Sequence, residues 1–159
     1  MGVSGCGKTK VGKALARELG WRFIDTDDLH PETNVAKMAR GVPLTDEDRW
    51  PWLDRVVGEM RRSSAAGEHA VVACSALKQA YRDRLAAGGD VHVVYLKGDA
   101  ATIAPRIAHR SGHFMPASLL ASQFAALEEP HNAIVVDIRD PLETKVATIN
   151  RALHDRLPA

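Results

Sequence analysis

The sequence predicts an α/β domain built around a parallel sheet, and three observations carry that prediction. Short apolar runs alternate along the chain with stretches that place apolar residues at helical spacing. The run 70–74 is continuously apolar, as suits a strand buried on both faces of a parallel sheet. Finally, Gly2-Val3-Ser4-Gly5-Cys6-Gly7-Lys8-Thr9 fits G-x-x-x-x-G-K-[ST], a phosphate-binding loop that leads into a helix.

The loop comes first. Its glycines let the backbone turn tightly and aim N–H groups inward as an anion nest, and the helix that follows adds its positive end. Lys8 is placed to reach the β- and γ-phosphates of a nucleotide, and the Thr9 hydroxyl to hold Mg²⁺. Residues 2–9 are therefore the candidate nucleotide-binding set. Val11, Ala14, Leu15 and Leu19 share a face of the next helix, which Gly20 ends. Residues 21–25 read as a strand closing into the polar turn Thr26-Asp27-Asp28, and 34–39 as a short helix.

An acidic loop over 42–50 follows. Thr45 and Asp48 resemble a capping box, and Pro51 suits the first turn of a longer helix. Trp52, Leu53, Val56, Val57 and Met60 form that helix's apolar face, so Trp50 and Trp52 read as packing residues. After the strand at 70–74, a helix over 79–87 leads through Gly88-Gly89 to a strand at 91–96. Asp99 is positioned to cap the next helix, which carries Ile103 and Ile107 and breaks at Ser111-Gly112. A helix over 116–127, a strand over 133–138 and a helix striped by Leu142, Val146, Ile149 and Leu153 complete the chain. No repeat or linker divides it, so residues 1–159 form one domain.

Composition narrows the class. A hydrophobic content of 45% and charged content of 26% suit a soluble globular protein, and a net charge of +1 gives no support for nucleic-acid or membrane partners. No apolar run approaches the ~20 residues of a membrane span, and no leader precedes the loop. Cys6 and Cys74 fit no zinc or redox pattern and read as small reduced residues of a cytosolic enzyme, an acidified Cys6 being the sharper alternative. A phosphate-binding loop normally leaves a central strand, yet only Met1 precedes Gly2. The expectation is that the first strand is largely missing, through loss or through a start codon assigned too far downstream.

Further segments carry a family resemblance. They are Asp27-Asp28-Leu29-His30-Pro31, then Asn34, Lys37-Met38, Gly41-Val42-Pro43-Leu44, Asp46, Asp48-Arg49 and Pro51-Trp52-Leu53. Cys74-Ser75-Ala76-Leu77-Lys78 with Tyr81-Arg82 follows, then Tyr95-Leu96-Lys97-Gly98, Gly112-His113-Phe114, Gln123-Phe124, Leu127-Glu128 and Val135-Val136-Asp137. Together, and over nearly the whole chain, these resemble the small gluconokinases, which are similar in fold to shikimate kinase. The resemblance implies a three-layer P-loop kinase fold with sheet order 2-3-1-4-5, a lid around 106–127 and a cytoplasmic homodimer. It also implies ATP and Mg²⁺ as cofactors and transfer of the γ-phosphoryl group to the 6-hydroxyl of D-gluconate.

Site residues follow from the same match. Asp27 lies just beyond a strand end, where open α/β sheets gather ligands. As sequence it is equally a helix cap, and the resemblance favours it over Asp25 and Asp28 as the carboxylate facing the acceptor hydroxyl. Arg49, Lys78 and Arg82 are candidates for the acceptor's carboxylate, the arginines favoured because they bind such groups bidentately. His30 either bonds a sugar hydroxyl or is a structural turn histidine. Arg106 and Arg110 lie four apart on one helical face, and Arg110 is the expected lid arginine over the transferring group. His113 contacts a ligand or braces the lid, and Asp137 caps a loop or shapes the base pocket. Two alternatives stay open: a related kinase acting on shikimate or a nucleotide, and a non-catalytic nucleotide-binding module.

Overall fold

The computed structural model describes residues 1–108 and 119–156. From the loop onward the order is α1 (Lys8–Leu19), β1 (Arg22–Asp25), a 3₁₀ turn (Thr26–Leu29), α2 (Glu32–Ala39), α3 (Asp46–Ala65), β2 (Ala70–Ala73) and α4 (Gln79–Ala86). The second half runs β3 (Val94–Lys97), α5 (Ala100–Ala108), α6 (Leu120–Ala126), β4 (Ile134–Asp137) and α7 (Leu142–His154). Among the described residues no helix is long and apolar enough to cross a membrane.

The strands form two parallel pairs, β1 with β2 and β3 with β4, Arg22 facing Ala70 and Val94 facing Ile134 at their starts. These are the outer pairs of the expected order. Ahead of the loop, Met1 supplies strand-like pairing: its amino group donates to Val94 O, its carbonyl accepts from Leu96 N at 3.1 Å, and Gly2 N donates to Ser75 O at 3.2 Å. The first residues thus join the end of β2 to β3. Between the two pairs runs a cavity of about 410 Å³, lined by Leu15, Val71, Val72, Val94 and Leu96 among others. For this reason Ala70, Val71 and Val72 are half-buried rather than enclosed on both faces as the apolar run predicts. Burial within this region lowers the Met1 amine to about 6.

Successive side chains of a strand point to opposite faces, and β2 shows where each layer sits. Val71 packs with the cluster of Val11 and Leu15 from α1, Ile103 and Ile107 from α5, and Ile149 and Leu153 from α7. Val72 packs with the cluster of Trp52, Leu53, Val56 and Val57 from α3 and Tyr81 and Leu85 from α4. Helices therefore cover both faces of the strands, giving the predicted three layers.

Helix α3 begins earlier than the proline suggested. Thr45 caps it, with Asp48 N donating to Thr45 Oγ1 at 3.2 Å and Thr45 N to the Asp48 carboxylate at 2.9 Å, so the capping box forms as read. Pro51 consequently lies inside the helix, not in its first turn, and removes one intrahelical donor near the N-terminal end. Trp52 is buried at 2% exposure, and its indole N–H donates to Thr26 O at 2.8 Å. Thr26, itself fully buried, donates through Oγ1 to Ala73 O at 2.9 Å. The turn after β1 is thereby tied to both β2 and α3.

Trp52→Phe removes the indole donor and leaves both a small void and a weakly satisfied carbonyl. A loss of about 2–3 kcal/mol is expected, read as a lower denaturation midpoint at unchanged slope.

Candidate functional site

The loop's geometry depends on glycine. Gly5 (φ +79) and Gly7 (φ +98) sit in the left-handed region, and a Cβ on Gly5 would meet Ile107 at 2.7 Å. Gly7 is the residue before α1, so the loop opens directly onto the helix N-terminus. Lys8 folds back along the loop, its ammonium donating to Gly2 O at 3.0 Å and Val3 O at 3.1 Å. Ser4 N donates to Gln123 Oε1 at 2.6 Å, which fastens the loop to α6.

Thr9 Oγ1 donates to Asp25 Oδ2 at 2.9 Å, and the other carboxylate oxygen, Oδ1, accepts from Asp27 N at 3.2 Å. One side chain at the end of β1 thus connects the phosphate loop to the turn carrying Asp27. Sequence reasoning passed over Asp25 in favour of its neighbour. A carboxylate across from the loop threonine was the available signal.

A second cluster forms where the start of α3 meets the start of α4. Lys78 Nζ lies 2.8 Å from both oxygens of Asp46, and Tyr81 donates its hydroxyl to Asp46 Oδ1. Arg49 Nη1 donates to that same hydroxyl at 3.2 Å and to Leu44 O at 2.7 Å. Both cations lie over the Tyr81 ring, at 5.5 Å for Arg49 and 5.7 Å for Lys78. Arg49, Lys78, Asp46 and Gln123 line a pocket of about 320 Å³. The hydrogen bonds from Lys78 and Tyr81 hold the Asp46 carboxyl below the usual range, and its bond to Asp46 raises Lys78. Sequence reasoning named Asp46 and Tyr81 only within family-like segments and not as site residues, because nothing in the chain's order pairs Asp46 with a lysine 32 residues on.

The structure brings Arg49 and Lys78 together but not Arg82. Arg82 is buried at 7% exposure, with Nη1 donating to Ala76 O at 2.9 Å and Leu77 O at 3.1 Å. Ala76 holds φ at +44°, an unfavourable conformation for a residue with a Cβ. Arg82 therefore braces the strained turn that presents Lys78. Arg106 donates to Ile138 O at 3.1 Å and is likewise engaged in the fold. Asp137 accepts from Arg139 N at 2.8 Å, the loop-capping alternative. Arg110 and His113 lie outside the described residues.

His30 stacks on Trp52 with ring centroids 4.2 Å apart and 10° between planes. Burial, with the nearby Arg49 charge, lowers its pKa to about 4.

Comparison with known proteins identifies the group. Residues 4–149 match the shikimate kinase family. The gluconokinase of Gluconobacter oxydans is 52% identical, over 82% of this chain and 74% of its own length. A probable gluconokinase of mouse is 45% identical, over 96% and 95%. The chain belongs to the gluconokinase family. A solved gluconokinase from Sinorhizobium meliloti superposes with a TM-score of 0.82 at 41% identity, covering 99% of this chain and 95% of that one. The family's P-loop kinase fold is thus the fold of this chain.

Because folding depresses the His30 pKa from 6.5 to about 4, the unfolded chain binds the extra proton between those values. Stability from this group is complete above pH 6.5 and is lost as pH falls towards 4. Melting temperature measured across that window is expected to fall with pH, and His30→Gln to flatten the fall.

Proposed function

We propose that this chain transfers the γ-phosphoryl group of ATP to the 6-hydroxyl of D-gluconate, giving 6-phospho-D-gluconate and ADP. The observation that carries the reading is the Asp25 bridge, which sets a phosphate loop beside a carboxylate turn. Near that turn burial, and after it the Arg49 charge, lower the His30 pKa, and Arg49 and Lys78 line a pocket of about 320 Å³ that suits a small acid.

Phosphoryl transfer depends on positioning and charge neutralisation more than on covalent chemistry. The amides of residues 2–9 and the α1 N-terminus cradle the phosphates, and Lys8 turns from its loop carbonyls towards the β- and γ-oxygens. Thr9 and Asp25 are oxygen donors of the kind Mg²⁺ takes, and would hold the ion together with phosphate oxygens. When bound, Mg²⁺ neutralises charge on the transferring group.

Asp27 orients the 6-hydroxyl and accepts its proton as the new P–O bond forms and the bond to the β-phosphate oxygen breaks. The carboxylate of gluconate lies towards Arg49 and Lys78, with His30 as a neutral hydrogen-bonding neighbour. Arg110 neutralises charge on the transferring γ-phosphoryl group, and His113 contacts a ligand or braces the lid. A cytoplasmic homodimer belongs to the same proposal, and sedimentation reads the dimer directly.

Coupled ADP release across gluconate, shikimate and nucleoside monophosphates tests the substrate, with gluconate the expected acceptor. Preferred turnover of another acceptor would replace this reading. Asp27→Asn is expected to lower kcat by a factor on the order of 10²–10⁴ while nucleotide affinity stays within about threefold. Wild-type turnover in that variant would remove Asp27 from its role.

A further inference from the structure

The Asp46 carboxylate is held in an unusual way for a residue opening a helix. An acid in the first turn usually serves that helix's own free N–H groups or its positive end. In α3 the capping box of Thr45 and Asp48 already does this. Asp46 instead reaches across to α4, taking Lys78 through both oxygens at 2.8 Å and the Tyr81 hydroxyl through one. It does so inside the pocket that Arg49 shares, where an anionic acceptor would have to bring its own carboxylate.

Two carboxylates cannot both engage Lys78 closely without strong like-charge repulsion. The Asp46–Lys78 pair is also the kind that opens easily. Their side chains are 40% and 32% exposed, and solvated ion pairs of this sort contribute little net stability. The Tyr81 ring, by contrast, is buried at 2% exposure and keeps its place whichever partner Lys78 takes.

We propose that Asp46 sets how tightly the acceptor pocket holds an acid, standing in on Lys78 for the acceptor's carboxylate until that group displaces it. Tyr81 is the positioning residue between them, its hydroxyl accepting from Arg49 and donating to Asp46. An acceptor with a carboxylate exchanges one charged partner of Lys78 for another. A neutral polyol of the same length leaves the pair closed and gains nothing from either cation. The resting pair therefore lowers affinity for the acid by requiring that exchange, and leaves the binding of a neutral polyol unchanged.

The inference rests on the acceptor reading above, and one set of measurements separates the two. Asp46→Asn keeps the shape and a hydrogen-bonding oxygen but removes the competing charge. Its KM for gluconate is expected to fall ~3–5-fold, a larger change than any in kcat. Inhibition by D-sorbitol, which has no carboxylate, is expected to stay unchanged. Lys78→Met should raise the gluconate KM about tenfold or more and leave sorbitol inhibition unaltered. A gluconate KM that is unchanged or higher in Asp46→Asn, in a protein whose melting temperature is near wild type, overturns the stand-in role while gluconate kinase activity stands. A wild-type chain that neither binds nor phosphorylates gluconate overturns both.

Discussion

One carboxylate holds the two halves of the cleft together. Asp25 accepts from Thr9 at the start of α1 and from the Asp27 amide in the turn after β1. The phosphate-loop motif and the Asp27 turn are therefore tied to each other through one side chain. This matters because transfer in line between two oxygens tolerates little misplacement, and a shift near 1 Å is enough to cost a large factor in rate. Behind Asp25, Thr26 binds Ala73 O and Trp52 binds Thr26 O, so that the strand end is fixed from the neighbouring strand and from α3.

The pocket of Arg49 and Lys78 is built on a similar principle of indirect support. Lys78 stands beyond a turn whose Ala76 adopts a left-handed conformation, and such strain persists only where the surroundings enforce it. Arg82 supplies that enforcement by donating to Ala76 O and Leu77 O from a buried position. Its guanidinium keeps its charge in spite of burial, which lowers its pKa, because those carbonyls and Gln79 take its donors. A buried arginine thus fixes the backbone, and a half-buried lysine beyond it lines the pocket.

Much of this was legible in the sequence. Among the described residues, period and turn chemistry located the four strands and α1, α2, α4 and α7 to within a few residues, because α1 and α7 carry apolar stripes, and Thr45 with Asp48 forms the cap it resembles. The phosphate loop was legible because its spacing encodes its backbone geometry. Less local features were hidden. Pro51 suggested a helix start that the stronger cap at Thr45 moved upstream. Arg82 and Arg49 look alike in sequence, and only packing makes one a brace and the other a pocket wall. The Asp46–Lys78 pair joins two helix starts through tertiary contact, which no spacing rule anticipates. The half-buried state of β2 likewise depends on the cavity beside it rather than on its own apolar residues.

The most direct test of this architecture is a crystal structure of the chain with Mg²⁺, a non-hydrolysable ATP analogue and D-gluconate. The account predicts phosphates within residues 2–9 and the gluconate 6-hydroxyl within hydrogen-bond reach of Asp27. The gluconate carboxylate should lie against Lys78 and Arg49, with the Asp25 bridge between loop and turn kept. Gluconate bound with its carboxylate at the phosphate loop, or with its 6-hydroxyl remote from Asp27, would contradict it.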